Sequence, residues 1–183
     1  MEIEVIRSHR KTMALELKPN KLLVRAPVQA TRKDIEAFLQ DNQGWIRKNM
    51  PKVLAQQQAV ASVKKLTMDE LHRLADLALR VIPERVSYYA PLVGVSYGRI
   101  TIRNQRSKWG SCSSKGNLNF NCLLMLAPVE VLDSVIVHEL CHRKEMNHSP
   151  RFYAEVLRVF PDYHKWNHWL KTNGPLLMAR MTD

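Results

Sequence analysis

The sequence predicts an α+β fold: a small antiparallel sheet beside a helix that carries an H-E-x-x-H string, preceded by an N-terminal β-meander and helices. Three observations lead there. Short runs rich in Val, Ile and Leu open the chain; apolar residues at helical spacings of three and four fill its middle and its end; two alternating runs flank a polar loop between them. With 183 residues, 45% hydrophobic and 25% charged, the chain suits one domain with a small appendage and can bury a real core.

Residues 2–7 (EIEVIR), 12–18 (TMALELK) and 21–26 (KLLVRA) read as three strands. Pro19-Asn20 separates the second from the third as a hairpin turn would, so the expected arrangement is an antiparallel meander ending at Pro27. Thr31 then caps a helix in TRKDIEAFLQDN, with Asp34 as its capping-box partner and Ile35, Phe38 and Leu39 on one face. Gly44 and Pro51 punctuate two further helical pieces, and residues 55–64 read as an exposed helix or linker. A second unit is expected to begin near Leu66, dividing the chain into residues 1–65 and 66–183. Its first helix is capped by Thr67 with Glu70, and Pro83 is expected to break or bend it.

Residues 99–104 and 117–122 alternate like strands around the loop QRSKWGSCSSKG. Pro128 suits a helical first turn, and the helix after it should run to about residue 145. Ser149-Pro150 opens another helix, closed by Pro161. A last helix is expected to end near Asn173-Gly174-Pro175.

Bulk properties narrow the function classes. The first eleven residues have no apolar signal region, and no apolar run approaches the length of a membrane span. Cys112, Cys122 and Cys141 are odd in number and lack C-x-x-C spacing, which argues against a disulfide framework and for a cytoplasmic protein with no membrane partner. The net charge of +11 would attract nucleotides, nucleic acid or acidic protein segments, but the basic residues are dispersed along the chain.

His138-Glu139-Leu140-Cys141-His142 carries the chemistry. Four residues advance a helix by about 40° beyond one full turn, so both imidazoles leave the same face and can reach one metal ion. Glu139 sits about 100° round from His138, beside the metal, where it can take a proton from a metal-bound water. Val129, Leu132, Ile136 and Leu140 form an apolar stripe opposite the histidines. Hydrolytic zinc usually takes three protein ligands and leaves a position open. His148 is the leading third ligand, provided that the chain reverses near Met146-Asn147, with Asn147 in a left-handed conformation. Glu155, His164 and His168 are rivals.

The strings W-G-S-C-S…G-N-L-N-F-N, V-I-V-H-E-L-C-H and M-N-H-S-P-R-F-Y resemble the YgjP-like metallopeptidase family, related to the WLM and SprT-type zincins. The likeness spans most of the chain, including R-S-H-R-K-T and V-R-A-P near the N-terminus, and is most specific from Arg106 to Tyr153. It implies a compact zincin-like domain with His138, His142 and His148 on one zinc ion (or another divalent metal) and Glu139 as base. Glu145 stands where metzincins place glycine, and no Met-turn is evident, so the likeness to metzincins is one of spacing.

Supporting roles follow from position. Arg106 to Cys112 is the candidate edge strand for a substrate backbone, with Arg106, Lys108 and Trp109 as substrate-binding candidates; Trp109 reads equally well as a core anchor. Asn119 and Asn121 share a strand face and would orient the metal helix. Tyr163 is a candidate oxyanion donor and Cys141 a packing residue. The favoured function is a zinc metallopeptidase acting on a peptide or protein. Two alternatives remain. Arg103, Arg106, Lys108, Arg143, Lys144 and Arg151 bracket the motif and suit a nucleoside-triphosphate pyrophosphatase, although no Walker-type loop is present. A nucleic-acid-associated protease or binding protein also fits the charge.

Overall fold

A computed structural model describes residues 2–18 and 20–181; Pro19 of the expected turn lies outside them. The chain divides into two units, Met1–Ser62 and Val63–Asp183.

The first unit holds β1 (Glu2–Ser8), β2 (Ala14–Leu17), β3 (Lys21–Pro27), α1 (Arg32–Asp41) and α2 (Gln43–Ala61). Its sheet has the order β1-β3-β2, with β1 parallel and β2 antiparallel to β3. The expected meander is thus replaced by a mixed sheet. The strand with the near-continuous apolar run takes the centre: Leu22, Leu23, Val24 and Ala26 are buried, whereas β1 is exposed almost throughout. Ile35 of α1 packs on Val24 and Ala26, beneath the Thr31–Asp34 capping box. Pro51 lies inside α2 without ending it, so residues 43–61 form one helix instead of separate pieces.

The second unit comprises α3 (Met68–Val93), β4 (Ile100–Arg103), β5 (Gly110–Cys112), β6 (Leu118–Asn121), a 3-10 turn at Cys122–Leu126, α4 (Val129–Cys141), α5 (Pro150–Val159) and α6 (Tyr163–Ala179). Leu66 N–H donates to Arg180 O (2.7 Å), tying the start of the unit to its end. The Thr67–Glu70 capping box starts α3, which continues through Pro83. Ile82 and Val86 on either side are fully buried, and that packing holds the helix across the missing backbone bond. Pro175 likewise sits within α6, which runs on to Ala179.

The second sheet has the order β4-β6-β5, with β4 parallel to β6 and β5 antiparallel to it, so the small antiparallel sheet is in fact mixed. Phe120 and Leu118 of β6, Leu123 and Leu124 of the turn, and Ile136 and Leu140 of α4 are fully buried together. α4 is buried on more than one stripe: Val131, Val135, Val137 and Cys141 are covered as well as Leu132, Ile136 and Leu140, while Val129 is exposed. One polar clamp fixes its rotation. Asp133 accepts two hydrogen bonds from Arg85 Nη1 (2.9 and 2.7 Å) and one from the Tyr89 hydroxyl (3.1 Å), joining α3 to α4.

Replacing Asp133 with Ala strands the Tyr89 hydroxyl in the interior while Arg85 can turn to water. The expected loss is roughly 1–3 kcal/mol in urea-induced unfolding; a variant as stable as the parent would show that the clamp contributes nothing.

Candidate metal centre

α4 ends at Cys141, short of the expected residue 145, and His142 is its C-terminal cap. Three consecutive turn bonds follow: Arg143 N–H to Leu140 O, Lys144 N–H to Cys141 O and Glu145 N–H to Cys141 O, each 3.0 Å. The chain then bends back and Ser149, whose side chain accepts from Phe152 N–H, starts α5. No described residue other than glycine has positive φ, so the reversal is made without a left-handed Asn147. Arg143 fastens the turn to the rest of the unit, donating to Ser96 O and Ser114 O (both 3.1 Å).

The reversal brings three imidazoles face to face. His138 Nε2 lies 3.2 Å from His142 Nε2 and 3.0 Å from His148 Nε2. Two of the far ring nitrogens are held: His138 Nδ1 faces the Tyr163 hydroxyl at 2.9 Å, and His142 Nδ1 faces Glu145 O at 3.1 Å. Phe152, fully buried, contacts all three rings, with centroids 4.8, 4.6 and 4.9 Å away. Burial lowers the His138 pKa to about 3, aided by the neighbouring histidines, and lowers that of His142 too. Both rings are therefore neutral at ordinary pH and offer lone pairs. Three imidazole nitrogens converging at such distances, with all candidate ligand atoms within 4.8 Å of one another, fit a single cation.

The rival ligands are placed elsewhere. Glu155 pairs with Lys144 (3.0 Å) and Arg158 (2.9 Å), and His164 and His168 are exposed on α6 outside the group.

Glu139 is 5% exposed, and its Oε2 is buried with no hydrogen-bond partner in the protein. Burial raises its pKa to about 8, with Lys108 pulling the other way. Gly110 of β5 lies directly against it: a Cβ there would stand 2.7 Å from Glu139 Cγ and Oε1, so only glycine lets the strand approach. Two clefts flank this contact. One, of about 210 Å³, is walled by Trp109, Ser134, Val135, Tyr163, Asn167 and Leu170; the other, of about 270 Å³, by Ser111, Cys112, His142, Met146 and His148. Lys108, Gly110, His138 and Glu139 border both. A larger hollow in the first unit, about 490 Å³ and lined by Arg10, Lys11 and Asp34 among others, adjoins no metal-ligand group among the described residues.

Among the supporting candidates, Lys108 stands at the clefts and Arg106 at an exposed bend bordering neither. Trp109 lines the first cleft and also packs inward, its ring 3.2 Å from where a Cβ on Gly174 would be. Tyr163 is buried with its hydroxyl on His138. Asn121 serves the strand approach and not the metal helix: its side chain donates to Gln105 O (2.6 Å) and Lys108 O (3.1 Å) and accepts from Leu123 N–H. Asn119 donates to Ser111 Oγ (3.2 Å). Cys141 is fully buried, its pKa raised to about 12 by desolvation, and is an inert packing group. Sequence reasoning missed Phe152 and Gly110. The first sits at a fixed offset from Ser149-Pro150; the second is half of the Trp-Gly pair, whose purpose shows only across the strand–helix contact.

A family model for the YgjP-like metallopeptidase domain matches residues 69–173, and the chain belongs to that family. Its class is therefore that of the metallopeptidases, hydrolases of peptides or proteins that use a divalent metal. Two solved metallopeptidase zymogens are similar in structure. Abylysin of Pyrococcus abyssi has 20% identity and a TM-score of 0.46 over 50% of this chain and 93% of that one. Jannalysin of Methanocaldococcus jannaschii has 22% identity and a TM-score of 0.46 over 51% and 97%. No curated protein matches the chain. Among the described residues, no helix is long and apolar enough to cross a membrane.

The buried carboxyl has a stability consequence. In the metal-free fold Glu139 keeps its proton up to about pH 8, whereas the unfolded chain releases it near 4.5. Between those values the folded state binds more protons, so stability falls as pH rises, by on the order of 3 kcal/mol by pH 7. Metal-free Glu139→Gln should therefore be the more stable protein at pH 8, with the two converging below pH 4.5 in urea titrations. Parallel curves across that range would refute the burial cost.

Proposed function

We propose that the second unit is a zinc-dependent metallopeptidase in which His138, His142 and His148 hold one zinc ion and Glu139 is the general base. The observation that supports it most is the convergence of three imidazole Nε2 atoms beside a buried, unpartnered carboxylate at the open edge of β5. Zinc bound there would make a water acidic enough to ionise near neutrality and would polarise a peptide carbonyl.

The chain's own groups supply the rest. Glu139 accepts the proton at Oε2, and its raised pKa suits it both to take that proton and to return it to the leaving amine. Trp109, Ser111 and Ser113 are the positions that bond across to Asn121, Asn119 and Asn117, as Asn121 N–H to Trp109 O and Ser113 N–H to Asn117 O show. By antiparallel alternation, the N–H and C=O of Gly110 and Cys112 face away from β6. An extended peptide laid antiparallel on that edge would pass Glu139 with one cleft on each side of it. Trp109, Val135 and Leu170 give the first cleft an apolar wall, and Lys108 places one cation beside the reacting carbonyl.

The pyrophosphatase reading loses its support at the clefts. Of Arg103, Arg106, Lys108, Arg143, Lys144 and Arg151, Lys108 alone borders them, while Arg143 is spent on backbone carbonyls and Lys144 on Glu155. Nothing in the site favours nucleic acid over peptide. The three cysteines are unpaired, in keeping with a reducing compartment such as the cytoplasm.

Glu139→Gln should abolish cleavage of a peptide library while one zinc ion per chain is retained, measured by metal analysis after dialysis. Loss of zinc in the variant would remove Glu139 from the role of base. Phosphate release from a nucleoside-triphosphate panel, with no peptide cleaved, would overturn the substrate class.

A further inference from the structure

We propose that Tyr163 is a positioning residue for His138: its hydroxyl accepts the proton on Nδ1 and so holds the imidazole with Nε2 toward the metal. The inference rests on the three-histidine reading and gives Tyr163 a role other than that of a candidate oxyanion donor. His138 is the central ring of the group, since its Nε2 is the atom that both other Nε2 atoms face. A neutral imidazole that presents a lone pair there must carry its hydrogen on Nδ1, and the Tyr163 oxygen lies 2.9 Å from that nitrogen. The two rings lie 17° from parallel with centroids 5.9 Å apart.

The placement is built into the fold. Tyr163 is the first residue of α6, its N–H bonded to Phe160 O (3.0 Å), and it is 4% exposed. The comparison with its neighbours sharpens the role. His142 Nδ1 is served by the carbonyl of Glu145, a backbone group that no substitution removes. His148 is exposed and is steadied by ring packing on Phe152 and Tyr153. Among the ligand contacts, the His138–Tyr163 bond is thus the one in which a single side-chain atom fixes the tautomer of the central ring. Partners of this kind orient a ligand and raise its basicity.

Tyr163→Phe removes the hydroxyl and keeps the ring. Zinc affinity, measured by competition with a chromophoric chelator, should weaken about 10–100-fold, a larger change than the modest fall in the urea midpoint of the zinc-free chain that loss of one buried hydrogen bond brings. The absorption bands of the cobalt-loaded variant should shift, reporting an altered ligand field. Wild-type zinc affinity in the variant would overturn the proposal. If kcat fell with zinc affinity intact, Tyr163 would be the oxyanion donor; if the zinc-free midpoint fell in step with affinity, it would be a packing residue. A parent chain that binds no zinc would overturn the three-histidine reading beneath it, an outcome distinguishable because no peptide enters the affinity measurement.

Discussion

The site depends on where one helix stops. Two imidazoles four residues apart on α4 share a face at no structural cost, but a third cannot join them while the helix continues. α4 ends at Cys141, and the bonds to Leu140 O and Cys141 O turn the chain so that His148 comes back to His138 within 3.0 Å. The same turn supplies the carbonyl that holds His142, and it delivers Ser149 to cap the helix that carries Phe152 beneath all three rings. Glu145 stands in this turn for its backbone, which is why glycine is not needed there.

A helix that must present ligands accurately is itself held from several sides. α4 is buried nearly all round, clamped to α3 through Asp133 and faced by β5 across Gly110. Burial that would be ordinary for leucines is costly for the groups the chemistry requires. His138 and Glu139 are both displaced far from their usual titration ranges, in the direction that disfavours charge. Displacement of this kind gathers at functional sites, and here it falls on the proposed central ligand and the proposed base.

Local chemistry was the legible part of the sequence. The Thr31–Asp34 and Thr67–Glu70 boxes and the Ser149-Pro150 start are written in residues three apart, and the structure places caps at each. The His138–His142 spacing is likewise a statement about one helix. What depended on distant partners was not legible. That β3 takes the centre beside β1 is decided by which strand is most apolar across the whole sheet, and Pro83 and Pro175 were tolerated because neighbouring elements hold their helices. The bond of Tyr163 to His138 spans 25 residues, and the function of Gly110 is visible only once Glu139 lies against it.

X-ray absorption spectroscopy of the zinc-loaded chain tests the central claim most directly. Three imidazoles and one further light ligand in the parent, with one imidazole fewer in each of His138→Ala, His142→Ala and His148→Ala, would show a centre built by those three residues. A thiolate from Cys112 or Cys141 in the shell, or four protein ligands closing it, would contradict the account.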